Sequence, residues 1–121
     1  MISGLQEVLV GYRHDAQVGP VVTVAPGGIN VGIYDDKAVR LAPVDRTIAL
    51  EMIDEVIGLA PLKGHRNLSK GDIDALAATI AAMSQLATRA GDVVIEAEAN
   101  PVIVKTNGVC AVDALVRLAK S

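Results

Sequence analysis

The chain has 121 residues, 51% of them apolar, and a formal net charge of −3. That describes one domain with enough apolar surface to close a core, and it excludes general disorder. Aromatic residues make up only 2% of the chain, so bases find almost nothing to stack on. The acidic balance also argues against a phosphate-backbone footprint, and nucleic-acid binding is excluded. A single cysteine, Cys110, rules out an internal disulfide, and no Cys/His cluster suggests zinc. Residues 1–4 lack the basic flank and apolar core of a signal peptide. No apolar run approaches about eighteen residues, so no membrane-spanning helix is expected and a reducing cytoplasm is the expected compartment.

In chain order, residues 7–12 read as a Val/Leu-rich strand, and the polar, Gly-Pro-punctuated residues 13–20 as a loop. Residues 21–25 form a second strand that ends at Pro26-Gly27-Gly28. Two short strands follow, near residues 30–34 and 39–41. Asp45 is placed to cap a helix that runs to about Ile57 and stops at Gly58. Ser69 with Asp72 three residues on resembles a capping box. From there Ile73, Leu76, Ala77, Ile80 and Met83 keep helical spacing as far as Gly91. Met52 and Met83 read as helix-face core. The chain then returns to strands, with residues 92–100 broken by Pro101 and residues 102–105 and 109–112 flanking Asn107-Gly108, a strong hairpin signal. Residues 114–118 extend the last strand. Strands, two helices, strands predicts an α+β fold, a mostly antiparallel sheet with both helices on one face, within a single domain over 1–121.

The third block carries the informative geometry. Alternation puts Ile95, Ala97 and Ala99 on one face of a strand and Glu96, Glu98 and Asn100 on the other. A two-residue turn at Asn107-Gly108 makes Asn100 and Asp113 diagonal neighbours on one face, ~7–8 Å apart at the backbone. A four-residue loop, with Val104 opposite Val109, places Asn100 directly opposite Asp113. A three-residue loop would separate them across the sheet. An Asn carbonyl with one or two carboxylates is an oxygen donor set suited to Mg²⁺, which completes its shell with water and phosphate oxygens. The wet face of an edge strand carries the same residue types, and spacing alone favours that plainer reading.

Several segments in this order resemble the C-terminal half of the ATP-grasp domain of NDP-forming acyl-CoA synthetases. That group includes the ADP-forming acetyl-CoA synthetases and is related to the succinyl-CoA synthetase β subunit. Residues 7–20 are similar to the V-E-V-x-V-G and K-R-D-P-x-F-G-P stretch, and Arg40-Leu41-Ala42-Pro43 to R-L-x-P. Pro61-Leu62-Lys63-Gly64-His65-Arg66 resembles P-L-L-x-G-Y-R. Glu96-Ala97-Glu98-Ala99-Asn100-Pro101 resembles E-x-D/E-x-N-P, and Val112-Asp113-Ala114 lies in the matching A-V-D-A strand. The resemblance implies that Asn100 and Asp113 bind the Mg²⁺ of Mg-ATP and that Glu98 lies beside the phosphates. It implies ATP/ADP as cofactor and phosphoryl exchange coupled to acyl-CoA and carboxylate interconversion. The chain departs from the pattern at Ala16, Val18, Asn30, Gly32 and His65. Nothing in it matches the N-terminal ATP-grasp half or the CoA-binding and ligase domains, so the resemblance implies these as partners and an inactive chain in isolation.

The remaining candidates have two readings each. Arg40 contacts a phosphate or acyl group, or is a strand-end arginine in water. Arg66 contacts an anion, or is a solvated loop residue. Gly27 and Gly28 admit a phosphate, or make a tight turn. His14 and His65 read as surface residues, and Cys110 as a small buried hydrophobe. A homo-oligomer is compatible with the sequence. The alternative to the enzyme reading is an α+β assembly or regulatory module without catalysis.

Overall fold

The computed structural model describes residues 6–27, 36–64, 70–89 and 94–119. The expected strand near residues 30–34, Gly28, Arg66, His65, Ser69 and Gly91 lie outside them. Among the described residues there are six strands in one antiparallel sheet: β1 (Gln6–Asp15), β2 (Gly19–Pro26), β3 (Ala38–Leu41), β4 (Val94–Val104), β5 (Val109–Ala111) and β6 (Ala114–Leu118). The order is β3-β2-β1-β4, with β5 and β6 laid end to end along the outer side of β4. Helices α1 (Arg46–Glu55) and α2 (Ile73–Ser84) cover one face, and a short α3 (Leu86–Arg89) follows. The expected α+β class, with an antiparallel sheet and helices on one face, is the observed one. No helix among the described residues is long and apolar enough to cross a membrane.

The first hairpin is tighter than expected. Both strands run into the segment read as a loop, leaving only residues 16–18 to turn. Asp15 makes this work: its carboxylate accepts the Gln17 and Val18 N–H groups at 2.8 and 3.1 Å, and Gly19 takes φ 94°. Those hydrogen bonds to the charged form hold the Asp15 carboxyl below its usual range.

The core is aliphatic. Val8, Val10, Val22 and Val24 face Met52, Ile53, Leu76 and Ile80, all at most 1% exposed. Full burial of one such side chain contributes about 1.5–3 kcal/mol. Tyr12 anchors a second, smaller cluster with Val94 and Ala97. The buried Ser84 is satisfied: its hydroxyl accepts the Val44 N–H at 2.9 Å and donates to the Ala81 carbonyl at 2.7 Å.

The helix limits differ from the expectation for identifiable reasons. Asp45 caps α1 as expected, accepting from Ile48 N–H at 2.9 Å. The helix stops at Glu55, however, and a 3-10 helix (Ile57–Lys63) carries the chain on through Pro61 to Gly64, which takes the left-handed conformation. Gly58 is therefore not a stop. It sits where a β-carbon would lie 2.7 Å from Pro26 Cγ. The cap of α2 is Asp72, which accepts from Ala75 N–H at 3.0 Å. The same carboxylate accepts the Gly108 N–H of the β4–β5 turn at 2.6 Å, and the Asp72 N–H donates to Lys105 O at 2.8 Å.

These bonds hold the Asp72 carboxyl below its ordinary value. A depressed folded-state pKa means the stabilisation is complete above the unfolded value of about 3.9 and fades as pH falls through the lower folded one. Asp72→Asn is expected to lower the Tm at pH 7, with the gap to the wild type closing as the melts are repeated toward about pH 2.

Candidate functional site

β4 carries the site, and its alternation is broken at one point. Val8 pairs with Val102 and Val10 with Ala99, so Asn100 and Pro101 together stand opposite Leu9 alone. Such a bulge re-aims side chains. Ala99 and Val102 both enter the core, and Asn100 between them is exposed. The partner side makes the same step. Ala99 pairs with Ala114 and Val102 with Ala111, while the Asn100 N–H donates to Asp113 O at 3.1 Å and the Val112 N–H to Pro101 O at 3.0 Å. The proline fits here because its neighbours do not need an N–H from it.

Of the two even-length loops, the four-residue one is observed. Val104 pairs with Val109, and the Lys105 N–H closes onto Gly108 O at 3.0 Å. Asn100 and Asp113 consequently stand opposite each other. With Glu98, they line a cleft of ≈ 230 Å³ on the sheet face away from the helices. One Asp113 oxygen accepts the Ala114 N–H at 2.9 Å, which orients the carboxylate. Among the described residues, the Glu98 carboxylate and Asn100 amide make no hydrogen bond. Nor do three His, Cys, Asp or Glu side chains there gather into a cage. The donor set is therefore open, built of oxygens, and partial.

A second bulge moves Ile95 out of the face assigned to it. β6 slips against β4 between Val94 and Glu96. Val94, not Ile95, fills the core with Ala97 and Ala99, and Ile95 is 37% exposed. Cys110 is half-buried rather than buried.

The other candidates are scattered. Arg40 pairs with Val22, which faces the helices, and its guanidinium forms an ion pair with Glu55 of α1. It lies on the opposite side of the sheet from Asn100 and Asp113. Gly27 is pressed onto β1, its N–H donating to Glu7 O at 2.8 Å. A β-carbon there would come within 3.0 Å of Val8 N, which gives this glycine a packing role. His14 lies at the end of β1 on an exposed stretch.

Sequence reasoning passed over a second hollow on the same open face. It measures ≈ 290 Å³ and is lined by Gly11, Arg13, Thr23, Lys37, Glu96 and Glu98 among others. Register explains the gathering: Thr23, Gly11 and Glu98 form one row across β2, β1 and β4, and Arg13, Glu96 and Arg117 another. Arg117 holds Glu96 at 3.0 Å, and Arg13 reaches Asp15 at 3.3 Å. A glycine inside an alternating strand was the available signal.

Comparison with known proteins bears on the chain as a whole. The ATP-grasp domain family matches residues 1–118. The chain belongs to the ATP-grasp family. Among its ATP-grasp relatives is "Acetate--CoA ligase [ADP-forming] I subunit beta" of Pyrococcus furiosus, 38% identical over 109 residues, which covers 90% of this chain and 47% of that protein. "Acetate--CoA ligase [ADP-forming] I" of Archaeoglobus fulgidus is 36% identical over 113 residues, 93% of this chain and 16% of that protein. The chain thus spans about half of the first relative and about a sixth of the second. Among solved structures, the dinucleotide-forming acetyl-coenzyme A synthetase 1 of Ca. Korarchaeum cryptofilum, in complex with coenzyme A and Mg-AMPPCP, superposes with TM-score 0.89 at 30% identity. That match covers 98% of this chain and 55% of the other. A Pyrococcus horikoshii crystal structure gives TM-score 0.90 at 32% identity, covering 100% of this chain and 52% of the other.

The placement of Arg40 gives a test within the ATP-grasp fold. Arg40→Gln is expected to cost no more than about 1 kcal/mol, because its pair with Glu55 is partly exposed. Thermal melts of the variant beside the wild type read that cost directly.

Proposed function

We propose that this chain supplies the Mg²⁺-nucleotide half of the ATP-grasp site of an ADP-forming acyl-CoA synthetase. The observation that carries the reading is the Asn100–Asp113 pairing. A main-chain hydrogen bond of 3.1 Å ties the two residues opposite each other, with Glu98 beside them, at the edge of an open sheet face. Support comes from the relatives named as ADP-forming acetate–CoA ligases and from a solved neighbour that holds coenzyme A and Mg-AMPPCP.

The residues fit the ion. One amide carbonyl and two carboxylates are hard oxygen donors, too few for an all-protein cage, as suits a cation that keeps waters and takes phosphate oxygens. When bound, Mg²⁺ would offset the charge that develops during phosphoryl transfer. Asn100 and Asp113 would hold it. Glu98 would orient its water ligands or serve as a further ligand. The coupled reaction would interconvert acyl-CoA and the carboxylate while exchanging phosphate with ADP. An N-terminal ATP-grasp half and the CoA-binding and ligase domains would be the partners, closing the phosphate cradle and excluding water. The chain alone would bind Mg-nucleotide weakly and turn nothing over.

Titration of Mg-ADP and Mg-ATP into the wild type and the Asn100→Ala/Asp113→Ala double variant tests this. The expected result is weak binding by the wild type and a loss of about tenfold or more in the variant, the order set by losing hydrogen bonds or ligation to charged groups. Equal binding by both would favour a non-catalytic assembly module. Acyl-CoA-dependent ATP formation by the isolated chain would overturn the half-site reading.

A further inference from the structure

Among the described residues no strand pairs with the far side of β6, and all five β6 residues are exposed. The ladder fixes which main-chain groups face that open side. The Asn100 N–H donates to Asp113 O, so Ala99 and Ala114 are opposed without bonding each other. Alternation then turns the N–H and C=O groups of Ala114 and Val116 away from β4, and those of Leu115 toward it. The outward Ala114 N–H is covered by the carboxylate of Asp113, at 2.9 Å. Side chains alternate in step. Leu115 and Arg117 stand beside Glu98 and Glu96 on the open face, whereas Ala114 and Val116 stand beside Ala99 and Ala97 on the helix side. Leu115 and Val116 remain 62% and 57% exposed, so the apolar rows of the sheet run past their cover.

The run Asp113-Ala114-Leu115-Val116-Arg117 matches itself when read in the opposite direction. Two copies placed antiparallel and centred on Leu115 set Asp113 against Arg117 at both ends and Ala114 against Val116. Leu115 then meets Leu115 on the two-fold axis. The hydrogen-bond pattern agrees with that centre. The outward groups of Ala114 and Val116 become the bonded pairs, and the remaining positions are the non-bonded ones, where side chains approach closest. Centring on Val116 instead would set Arg117 against Leu115 and leave the charges unmatched. We propose that this edge seats a second copy of the chain, as a closed two-fold dimer paired through β6 about Leu115. The Arg117 side chain is 67% exposed and holds Glu96 at 3.0 Å, with further donors free for a second carboxylate. Asp113 gives up the Ala114 N–H to meet it, and that N–H passes to Val116 O of the second copy. Five residues a side fall well short of the roughly 20–30 of a stable interface, so the dimer is weak and forms at high concentration. The pairing does not depend on the metal reading given above, although a cation at Asp113 competes with Arg117 of the second copy.

Sedimentation velocity over a concentration series, run in EDTA to keep that competition out, tests the pairing. The wild type is expected to show a monomer–dimer equilibrium that stops at two, because the symmetric contact uses up the edge. Arg117→Asp and Asp113→Arg should each weaken association about tenfold or more, as two repelling pairs replace two attracting ones. The double variant Asp113→Arg/Arg117→Asp should regain it. Leu115→Lys sets like charges together on the axis and should also leave monomers, with thermal melts confirming that each variant is folded. A wild type that stays monomeric throughout overturns the proposal and leaves the edge to a partner of another kind. Growth beyond the dimer overturns the closed geometry. Wild-type association in folded Arg117→Asp overturns the register. Should Arg117→Asp fail to fold for want of its Glu96 contact, wild-type association in Leu115→Lys overturns it instead.

Discussion

Two residues of β4, Asn100 and Pro101, face one residue of β1, Leu9. Much of the molecule follows from that mismatch. A strand of strict alternation could not bury both Ala99 and Val102, because residues three apart point to opposite faces. The extra residue restores the parity. Val102 and Val104 join the core with Ala99, and the residue released between them is Asn100, turned to the open face. The neighbouring chain repeats the step at Val112 and Asp113, which is why β5 and β6 are two strands rather than one. Core packing and donor placement are two results of the same irregularity.

A mismatch of this kind holds its position only if the register around it cannot slide. Asp72 provides the stop at the hairpin end. Its carboxylate receives N–H groups from α2 and from the β4–β5 turn, and its own N–H reaches Lys105 O. The N-terminus of a helix and the tip of a hairpin thus share one anion, and a slip of the ladder by one residue would leave donors unpaired. A β-carbon on Gly71 beside it would lie 2.5 Å from Leu62 Cδ2 and 3.2 Å from Val104 Cγ1, so the chain entering α2 packs closely on the end of β4. The helix layer therefore fixes where the open face puts its oxygens, although it touches none of them.

The sequence made some of this legible and hid the rest. Val- and Leu-rich runs revealed β1 and β2, alternation revealed β4, and Asp45 announced α1, because these signals are local. The pairing of Asn100 with Asp113 was open to derivation because the Asn-Gly signal limited the loop to a few lengths, although the turn took the longer of the two even-length ones. What failed depended on tertiary contacts. Gly58 looks like a stop signal, but Pro26 packs against it and the chain continues as a 3-10 helix. Ile95 reads as core by count, yet the slip against β6 gives its place to Val94. Arg40 has the chemistry of an anion contact, and register alone sends it to the helix side to meet Glu55.

β6 shows what a sheet looks like at its unfinished margin. All five of its residues are exposed, Leu115, Val116 and Leu118 by more than half, and its single charge, Arg117, leans onto Glu96. Its outer rim offers apolar side chains on both faces beside backbone groups that seek partners. A margin of this kind favours edge-to-edge association. Raised protein concentration favours edge-to-edge association, and added salt removes some of the repulsion that opposes it. Among the described residues, β6 thus joins a sheet edge to exposed apolar side chains, far from the interior that decides stability.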